Sequence, residues 1–279
     1  MDRLSTLLSR FGVRANLFYN DRLCGAQTYS GADQRGHIHL LRAGTVTVQG
    51  VEKRNTILTK PSLIFLPRPC QYLLFAQEFD GAQLLCASME FEGGIDNPLS
   101  ASLPDMLVLP LDELPLLATT LTWMFEEAAE GHCGKEAVIN RLFELLVILL
   151  FRHLLDQNQL QTGVMAGLAD PRLAHSLVSV HDAPHHPWSI AEMADKSNMS
   201  RSAYAAHFRT IIGQTPAEYL LSWRVSLAQK LLREGRAINL IAADVGYDSP
   251  SALARAFRRK TGVSPREWTK ALTVHDEHG

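Results

Sequence analysis

The C-terminal third of the chain contains one sequence pattern twice, and this repeat restricts the fold more than any other feature of the 279 residues. The copies are SIAEMADKSNMSRSAYAAHFRTIIGQTPAEYL (189–220) and NLIAADVGYDSPSALARAFRRKTGVSPREWT (239–269). Each copy predicts a short helix, a turn of a few residues and a second helix that begins after a capping serine. The segment 216–234 between them has the periodicity of one long helix. The repeat therefore predicts a duplicated helix-turn-helix.

Caps and prolines give the helix boundaries of the C-terminal part. A capping serine or threonine followed by proline marks three helix starts, at Pro216, Pro250 and Pro265. We predict an all-α domain over 171–272, preceded by a polar, glycine-containing linker over 158–170 and followed by a tail over 273–279. The predicted helices lie near 171–182, 189–196, 201–212, 216–234, 238–245, 250–261 and 265–272.

The second helix of each copy has an apolar face and an opposite face of small and basic residues. A helix with a small-residue tip and an arginine fringe fits a DNA major groove about 12 Å wide, where arginines reach phosphates or read guanine. The alternative is an ordinary solvated basic face. The outward residues are Arg201, Ser202, Ala205, Ala206 and Arg209 in the first copy, and Ser251, Ala252, Arg255, Arg258 and Arg259 in the second.

The charge distribution permits nucleic-acid binding by the C-terminal part. The whole chain has a formal net charge of −2, but residues 170–279 contain 14 basic and 11 acidic side chains, whereas residues 1–169 contain 13 and 18. The positive excess of the C-terminal part is modest. It is compatible with DNA binding without requiring it.

The N-terminal half has a different periodicity. Residues 15–92 consist of short β-rich runs separated by Gly, Pro and Asp, which predicts an antiparallel barrel or sandwich. Over 111–157 the apolar spacing changes to three and four, which predicts two helices. The run LFELLVILLF (142–151) is too short to cross a bilayer and more apolar than one helix needs against a small barrel. We therefore predict a homodimer interface in 111–157, with interdomain packing as the alternative.

Other patterns restrict the class of protein. The sequence has no export signal and no CxxC pair among its four cysteines, which indicates reduced thiols and a cytoplasmic location. It has no Gly-rich phosphate loop and no motif that supports a Ser/His/Asp arrangement. We do not expect an enzyme.

Residues 170–272 resemble the C-terminal DNA-binding domain of AraC/XylS-type transcription regulators, through the signature AADVGYDSPSALARAFRRKTGVSPREW (242–268). The resemblance implies seven helices, whose two recognition helices enter adjacent major-groove segments of double-stranded DNA. It leaves RNA polymerase open as a further partner. By motif position, the base-facing residues are Ser202, Ala205 and Ala206 in the first copy, and Pro250, Ser251 and Arg255 in the second, with Ser249 at the start of the second helix. The alanines of the first copy cannot hydrogen-bond to bases, so specificity can depend on the second helix or on DNA shape.

Residues 15–92 resemble the cupin-type β-barrel that precedes such domains, in DRLCGAQTY (21–29) and GHIHLLRAGTVTV (36–48). This resemblance is looser than that of the C-terminal part, but it extends over most of the first 110 residues. We therefore predict an α+β protein with a cupin-like sensor barrel over 1–110 and a helical dimerisation segment over 111–157. Gly31, His37 and His39 keep the spacing of the cupin metal motif, but its carboxylate and its second motif are missing.

The resemblance also suggests a sensing site. Cys24 and Cys86 stand where such sensor domains have cysteines, and His39 aligns with their usual histidine. Together, and with His37 or Cys70 as further candidates, they could bind zinc. The two thiols could equally form an oxidant-sensitive pair. They could also be core residues, with an organic ligand in the barrel.

Three functions remain open from the sequence. The first is a sequence-specific transcription regulator whose barrel senses a metal, an oxidant or a small molecule. The second is a DNA-binding protein whose barrel is only a dimerisation scaffold. The third is a cupin metalloenzyme fused to a DNA-binding domain, against which the missing ligands weigh.

Overall fold

The computed structural model describes residues 2–94, 97–157, 160 and 162–276, without the side chains of Glu52 and of 273–276. These residues form two compact units. The β unit comprises the described residues of 12–95 and 103–157. The helical unit comprises the described residues of 1–11, 96–102 and 158–279.

The β unit is built on two antiparallel sheets. One sheet has the strand order β1-β8-β3-β6-β9 and the other β2-β7-β4-β5. The strands are β1 (Val13–Leu23), β2 (Gly25–Tyr29), β3 (Gly36–Gly44), β4 (Val46–Gln49), β5 (Asn55–Leu58), β6 (Ser62–Leu66), β7 (Tyr72–Ala76), β8 (Ala82–Phe91) and β9 (Leu107–Pro110).

The helices of both units follow in chain order, and two 3-10 turns, Leu111–Glu113 and Pro115–Leu117, precede α3. The helices are α1 (Ser5–Arg10), α2 (Pro98–Ala101), α3 (Ala118–Ala129), α4 (Lys135–Asp156), α5 (Val164–Ala169), α6 (Ala174–Asp182), α7 (Ile190–Lys196), α8 (Arg201–Ile212), α9 (Pro216–Arg233), α10 (Ile238–Ile241), α11 (Pro250–Thr261) and α12 (Pro265–Asp276).

The core of the β unit lies around β3, the central strand of the larger sheet. Its residues 36–41 are all buried, because β6 and β8 pair with it on both sides and its two faces are covered. Leu41, Ile64 and Leu74 belong to one apolar cluster that joins the two sheets. This packing confirms the predicted antiparallel β-structure.

The helical unit confirms the predicted duplicated helix-turn-helix. α7 and α8 form the first copy, α10 and α11 form the second, and the 18-residue helix α9 connects them. α10 is shorter than predicted, because a turn replaces the helix after Ile241. The largest fully buried side chains of this unit include Trp223, Tyr204, Phe208 and Phe257.

Two parts of the predicted sensor segment 1–110 lie in the helical unit instead. α1 packs on α6, and the Phe11 ring lies 5.2 Å from the Trp223 ring. The Thr6 hydroxyl and an Asp182 carboxylate oxygen are 2.5 Å apart. Residues 97–102 also belong to this unit. These packing contacts are non-local, so no local sequence signal marks them.

The second half of the predicted linker is a helix. Val164, Leu168 and their neighbours in α5 are buried. A Cβ atom at Gly167 would lie 2.3 Å from Ile212 Cδ1, so this glycine permits close helix packing and does not mark a flexible segment. Residues 158, 159 and 161 lie outside the described residues.

The predicted tail is helical where it is described. α12 continues to Asp276, four residues past the predicted end of the domain, and 277–279 lie outside the described residues. Within the described part of the chain, no helix combines the length and apolar character that a membrane span requires.

Candidate nucleic-acid interface

The recognition helix of the first copy, α8, has well-defined ends. The Ser200 hydroxyl accepts a hydrogen bond from the backbone N–H of Ala203 at 3.3 Å, and Gly213 ends the helix in the left-handed conformation that favours glycine. Tyr204 and Phe208 lie four residues apart and are both buried, so they fix one face of α8 against the core. The opposite face is left for a partner.

The recognition helix of the second copy, α11, repeats this geometry. The Ser249 hydroxyl accepts from the backbone N–H of Ala252 at 3.2 Å, Pro250 occupies the first helical position, and Gly262 ends the helix. Leu253 and Phe257 are fully buried. The two copies therefore present corresponding faces.

The exposed faces differ in charge. Most of the residues predicted to face DNA are exposed in both helices, while Ala205, Ser249 and Ala252 are half-buried. The last turn of α11 carries three consecutive cations, where they also interact favourably with the helix dipole. The exposed candidates are Arg201, Ser202, Ala206 and Arg209 in α8, and Pro250, Ser251, Arg255, Arg258 and Arg259 in α11.

Polar contacts that the sequence did not reveal hold α8 in place. The Tyr204 hydroxyl donates to the Ser176 hydroxyl at 3.1 Å, and burial raises the pKa of Tyr204 to about 12. His207 Nε2 lies 2.8 Å from a carboxylate oxygen of Asp170, whose other oxygen accepts from the backbone N–H of Leu173. Asp170 thus joins the turn before α6 to the recognition helix.

Aromatic contacts hold α11 in place instead. The Phe257 ring meets the Trp268 ring of α12 edge to face, at 5.7 Å between centroids. The Arg233 guanidinium lies 4.7 Å from the centroid of the same Trp268 ring. The second copy is therefore fixed by α12 and by the end of α9.

The β unit contains a buried histidine in an aromatic cluster. His39 is fully buried, its Nε2 lies 2.7 Å from the Tyr72 hydroxyl, and its Nδ1 has no hydrogen-bond partner among the described residues. Burial, with a smaller effect of nearby His37, lowers the pKa of His39 to about 3, so the imidazole is neutral. Tyr29 stacks on Tyr72 with 4.6 Å between the ring centroids, and the two paired strands β2 and β7 carry these rings.

The predicted zinc or thiol site does not assemble as expected. Cys86 is directly opposite His39 on the paired strands β8 and β3, but Cys24 is exposed at the start of the turn between β1 and β2. Burial raises the pKa of the Cys86 thiol, and burial also raises that of Cys70, so the free thiolate form that reacts with oxidants is disfavoured.

His37 does not complete the site either. Its Nε2 lies 3.2 Å from a carboxylate oxygen of Asp33. In the described part of the chain, no three His, Cys, Asp or Glu side chains are grouped so as to hold a metal ion. Among the described residues, the ligands predicted for zinc are therefore not brought together at one point.

Comparisons with known proteins match both units. A family model described as Cupin matches residues 2–156, and one described as Helix-turn-helix domain matches residues 193–271. A protein of Streptomyces lividans named as an AraC-like transcription regulator is 34% identical over 203 residues, which cover 71% of this chain and 67% of that protein. A protein of Streptomyces antibioticus with the same description is 40% identical over 152 residues, 54% of this chain and half of that protein.

One solved structure resembles the C-terminal part of the chain. It is the DNA-binding domain of AdpA in complex with a target DNA, at 30% identity and a TM-score of 0.37, covering 39% of this chain and 99% of that domain.

Proposed function

Since the chain belongs to the family of AraC-like transcription regulators, we propose that its two recognition helices read one specific DNA sequence and that a signal received by the β unit controls this binding. The observation that carries the proposal is the repeated interface. α8 and α11 are each capped by serine, held by buried apolar side chains and exposed on a small or basic face. DNA is the partner, and we propose that the protein acts in the cytoplasm as a regulator and not as an enzyme.

We assign different roles to the arginines of α11. Arg255 lies in the middle of the exposed face, where a guanidinium can donate two hydrogen bonds to guanine O6 and N7. Arg258 and Arg259 lie at the end of the helix, where they would neutralise phosphates. Arg201 and Arg209 would do the same for α8. Ala205 and Ala206 would approach the bases closely, where they can contact thymine methyl groups.

The salt dependence of binding tests the phosphate contacts. Full-length chain with Arg258→Ala and Arg259→Ala should bind every duplex more weakly, and the slope of log K against log salt should flatten by about 0.9 for each lost phosphate contact. Arg54→Ala, which removes an exposed arginine of the β unit, is the matched control and should leave the slope unchanged. An unchanged slope in the double variant would exclude the α11 contacts.

A footprint tests the use of both copies. The two recognition helices of each protomer should protect two major-groove segments about one helical turn apart, roughly 34 Å. A single protected segment would mean that only one copy contacts DNA.

For the signal we propose a small molecule that enters the β unit beside His39. The support is the buried imidazole, whose Nδ1 has no hydrogen-bond partner among the residues that the structure describes, because such an atom normally has a binding role or an ordered water. The rings of Tyr29 and Tyr72 next to it would supply apolar contact and a hydroxyl group.

Titrations of the full chain separate this proposal from zinc and from thiol oxidation. DNA affinity should not respond to zinc chloride or to mild peroxide, and the response should stay absent in Cys24→Ser and Cys86→Ser. A change in DNA affinity upon zinc or peroxide addition that requires both cysteines would contradict the proposal. No response to any small molecule in a broad screen would favour the barrel as a scaffold only.

We further propose that exposed apolar side chains of α3 and α4 form a homodimer interface. Trp123 on α3 and Leu145 on α4 are 52% and 40% exposed, so each leaves apolar surface available to a partner. Sedimentation should give a dimer for the native chain and a monomer for Leu145→Glu. Leu240→Glu, at an exposed leucine of the helical unit, is the control and should remain a dimer. A native chain that sediments as a monomer would exclude this interface.

A further inference from the structure

One arginine contacts both halves of the duplicated helix-turn-helix. Arg224 lies in the middle of α9, the helix that connects the two copies. Its Nε donates to the carbonyl oxygen of Pro184 at 2.9 Å, and its Nη2 donates to that of His186 at 2.8 Å. On its other side, the guanidinium lies 5.5 Å from the centroid of the Tyr247 ring. One planar cation on α9 thus contacts both the loop at 184–186 and the ring of Tyr247, which are far apart in the sequence.

The two carbonyl groups belong to a rigid loop that leads into the first copy. The Trp188 indole N–H donates to the Ala183 carbonyl at 2.8 Å, and the backbone N–H of Trp188 donates to the His186 carbonyl at the same distance. The hydroxyl of Ser189, the next residue, caps α7. A displacement of this loop would therefore displace the start of the first copy.

The Tyr247 ring belongs to the turn of the second copy. The backbone N–H of Tyr247 donates to the Ala242 carbonyl at 2.8 Å, and Ser249 caps α11 two residues later. The position of this ring therefore follows the position of the second recognition helix.

Gly246 allows the two halves to meet at this point. Its φ of +85° lies in the left-handed region, which favours glycine. A Cβ atom here would lie 2.6 Å from Arg224 Nη2 and 2.7 Å from the Pro184 carbonyl oxygen. The turn of the second copy thus touches both the arginine and the loop before the first copy, and a side chain at position 246 would displace them.

We propose that Arg224 and Gly246 fix the distance and rotation between the two recognition helices, and hence the number of base pairs between the two DNA segments that the protein accepts. The inference rests on the proposed DNA reading by both copies. Both copies pack on α9. The contacts of Arg224 and Gly246 add a direct connection between the loop before the first copy and the turn of the second, which limits the rotation of one copy relative to the other. Arg224 is a positioning residue, since it acts through the elements that it holds.

The spacing of the DNA segments tests the proposal. Full-length chain first selects its binding sequence from a random duplex pool, and duplexes are then made with one base pair inserted or removed between the two protected segments. Each step moves one segment by about 3.4 Å and about 34° around the duplex, so the native chain should lose affinity strongly. In Arg224→Ala the affinity ratio between native and altered spacing should shrink by about tenfold, a typical size for coupling between two sites.

Control variants separate positioning from general stability. Arg236→Ala removes the same charge from an exposed ion pair with Asp244, and it should keep the native spacing ratio. If Arg224→Ala fails to fold, as judged by its circular dichroism melt, Tyr247→Leu removes the contacts of Arg224 with the second copy but keeps its two bonds to the loop before the first copy, and it should shrink the ratio in the same direction. Equal losses at all spacings, or an unchanged ratio in the folded variants, would overturn the inference. A native chain that selects no sequence would instead refute the proposed function.

Discussion

The two copies of the helix-turn-helix share a scaffold but differ in surface chemistry. The repeat aligns Ser200 with Ser249 and Phe208 with Phe257, and each pair has the same role in the structure. On the exposed face, however, Ala206 corresponds to Arg255. α8 contains two basic residues and α11 contains four, and neither contains an acidic one.

The residues that fold each copy are thus shared, whereas the residues on the exposed face have diverged. Caps and buried aromatic positions must be kept for each copy to form, because losing them costs stability in every context. The exposed positions carry no such requirement. We infer that the second copy reads bases through Arg255 and that the first copy contributes close contact and phosphate binding.

Loss of a buried ring from the shared scaffold should destabilise the helical unit most. Phe208→Ala and Phe257→Ala should each lower the free energy of unfolding of the helical unit by about 3–5 kcal/mol, because each removes a fully buried ring. Urea denaturation of the full chain measures this. Leu240→Ala, at a side chain that is 62% exposed, is the control and should stay within about 0.5 kcal/mol of the native chain. A small cost for one phenylalanine only would show that the copies do not share one packing scheme.

Acid should destabilise the surroundings of the first copy more than the second copy. His181 is buried on the side of the first copy, with its Nε2 2.5 Å from the Tyr219 hydroxyl, and burial lowers its pKa to about 3. The unfolded chain therefore binds more protons than the folded chain between about pH 3 and 6.5, so stability falls as the pH falls through this range. Lowering the pH from 7 to 5 should therefore reduce the free energy of unfolding of the helical unit by about 2 kcal/mol through His181 alone.

Hydrogen exchange at the two pH values checks this asymmetry. Residues 238–269 contain no histidine, so protection should fall more in α6 and α8 than in α11. His175→Gln, which changes an exposed histidine of α6, should leave the pH response intact. Equal loss of protection in both copies would contradict the assignment to His181. His39 should give the β unit a similar acid sensitivity, because burial lowers its pKa to about 3 as well.

The smallest expected effect concerns the caps. Ser200→Ala and Ser249→Ala should each lower the free energy of unfolding by about 1 kcal/mol. Each substitution removes the acceptor for one backbone N–H in the first turn of a recognition helix. Thermal melts of the two single variants should therefore agree closely. Glycine at either position should cost only a few tenths of a kcal/mol. A large difference between the two serines would show that the ends of α8 and α11 are not equivalent.

The sequence predicts the recognition helices well because their signals are local. Caps, prolines and apolar spacing lie within a few residues of the helix ends, and the bounds of α8 and α11 agree with the prediction. Because the pattern occurs twice, the helix boundaries predicted for one copy can also be checked against those of the other. The antiparallel β-structure is likewise predicted from its alternation and turn residues.

The missed features are contacts between distant residues. Asp170 lies 37 positions from His207, and Arg224 lies about as far from Pro184, so neither pairing has a local signature. Gly167 resembles a linker residue in the sequence but lies between packed helices. Cys24, expected to lie near His39, is exposed at the turn after β1, because alternation along a strand does not determine where residues beyond its end lie.

The base preference of Arg255→Ala tests the division of roles most directly. The affinity of the native chain and of the variant is measured on the selected duplex, on a series with each base pair changed in turn, and on random DNA. We predict that Arg255→Ala loses about 1–3 kcal/mol of preference at one base pair within the segment bound by α11, while the other positions keep theirs. Equal loss of affinity on selected and random DNA, with the preference at every base pair retained, would contradict the base-reading role of the second copy.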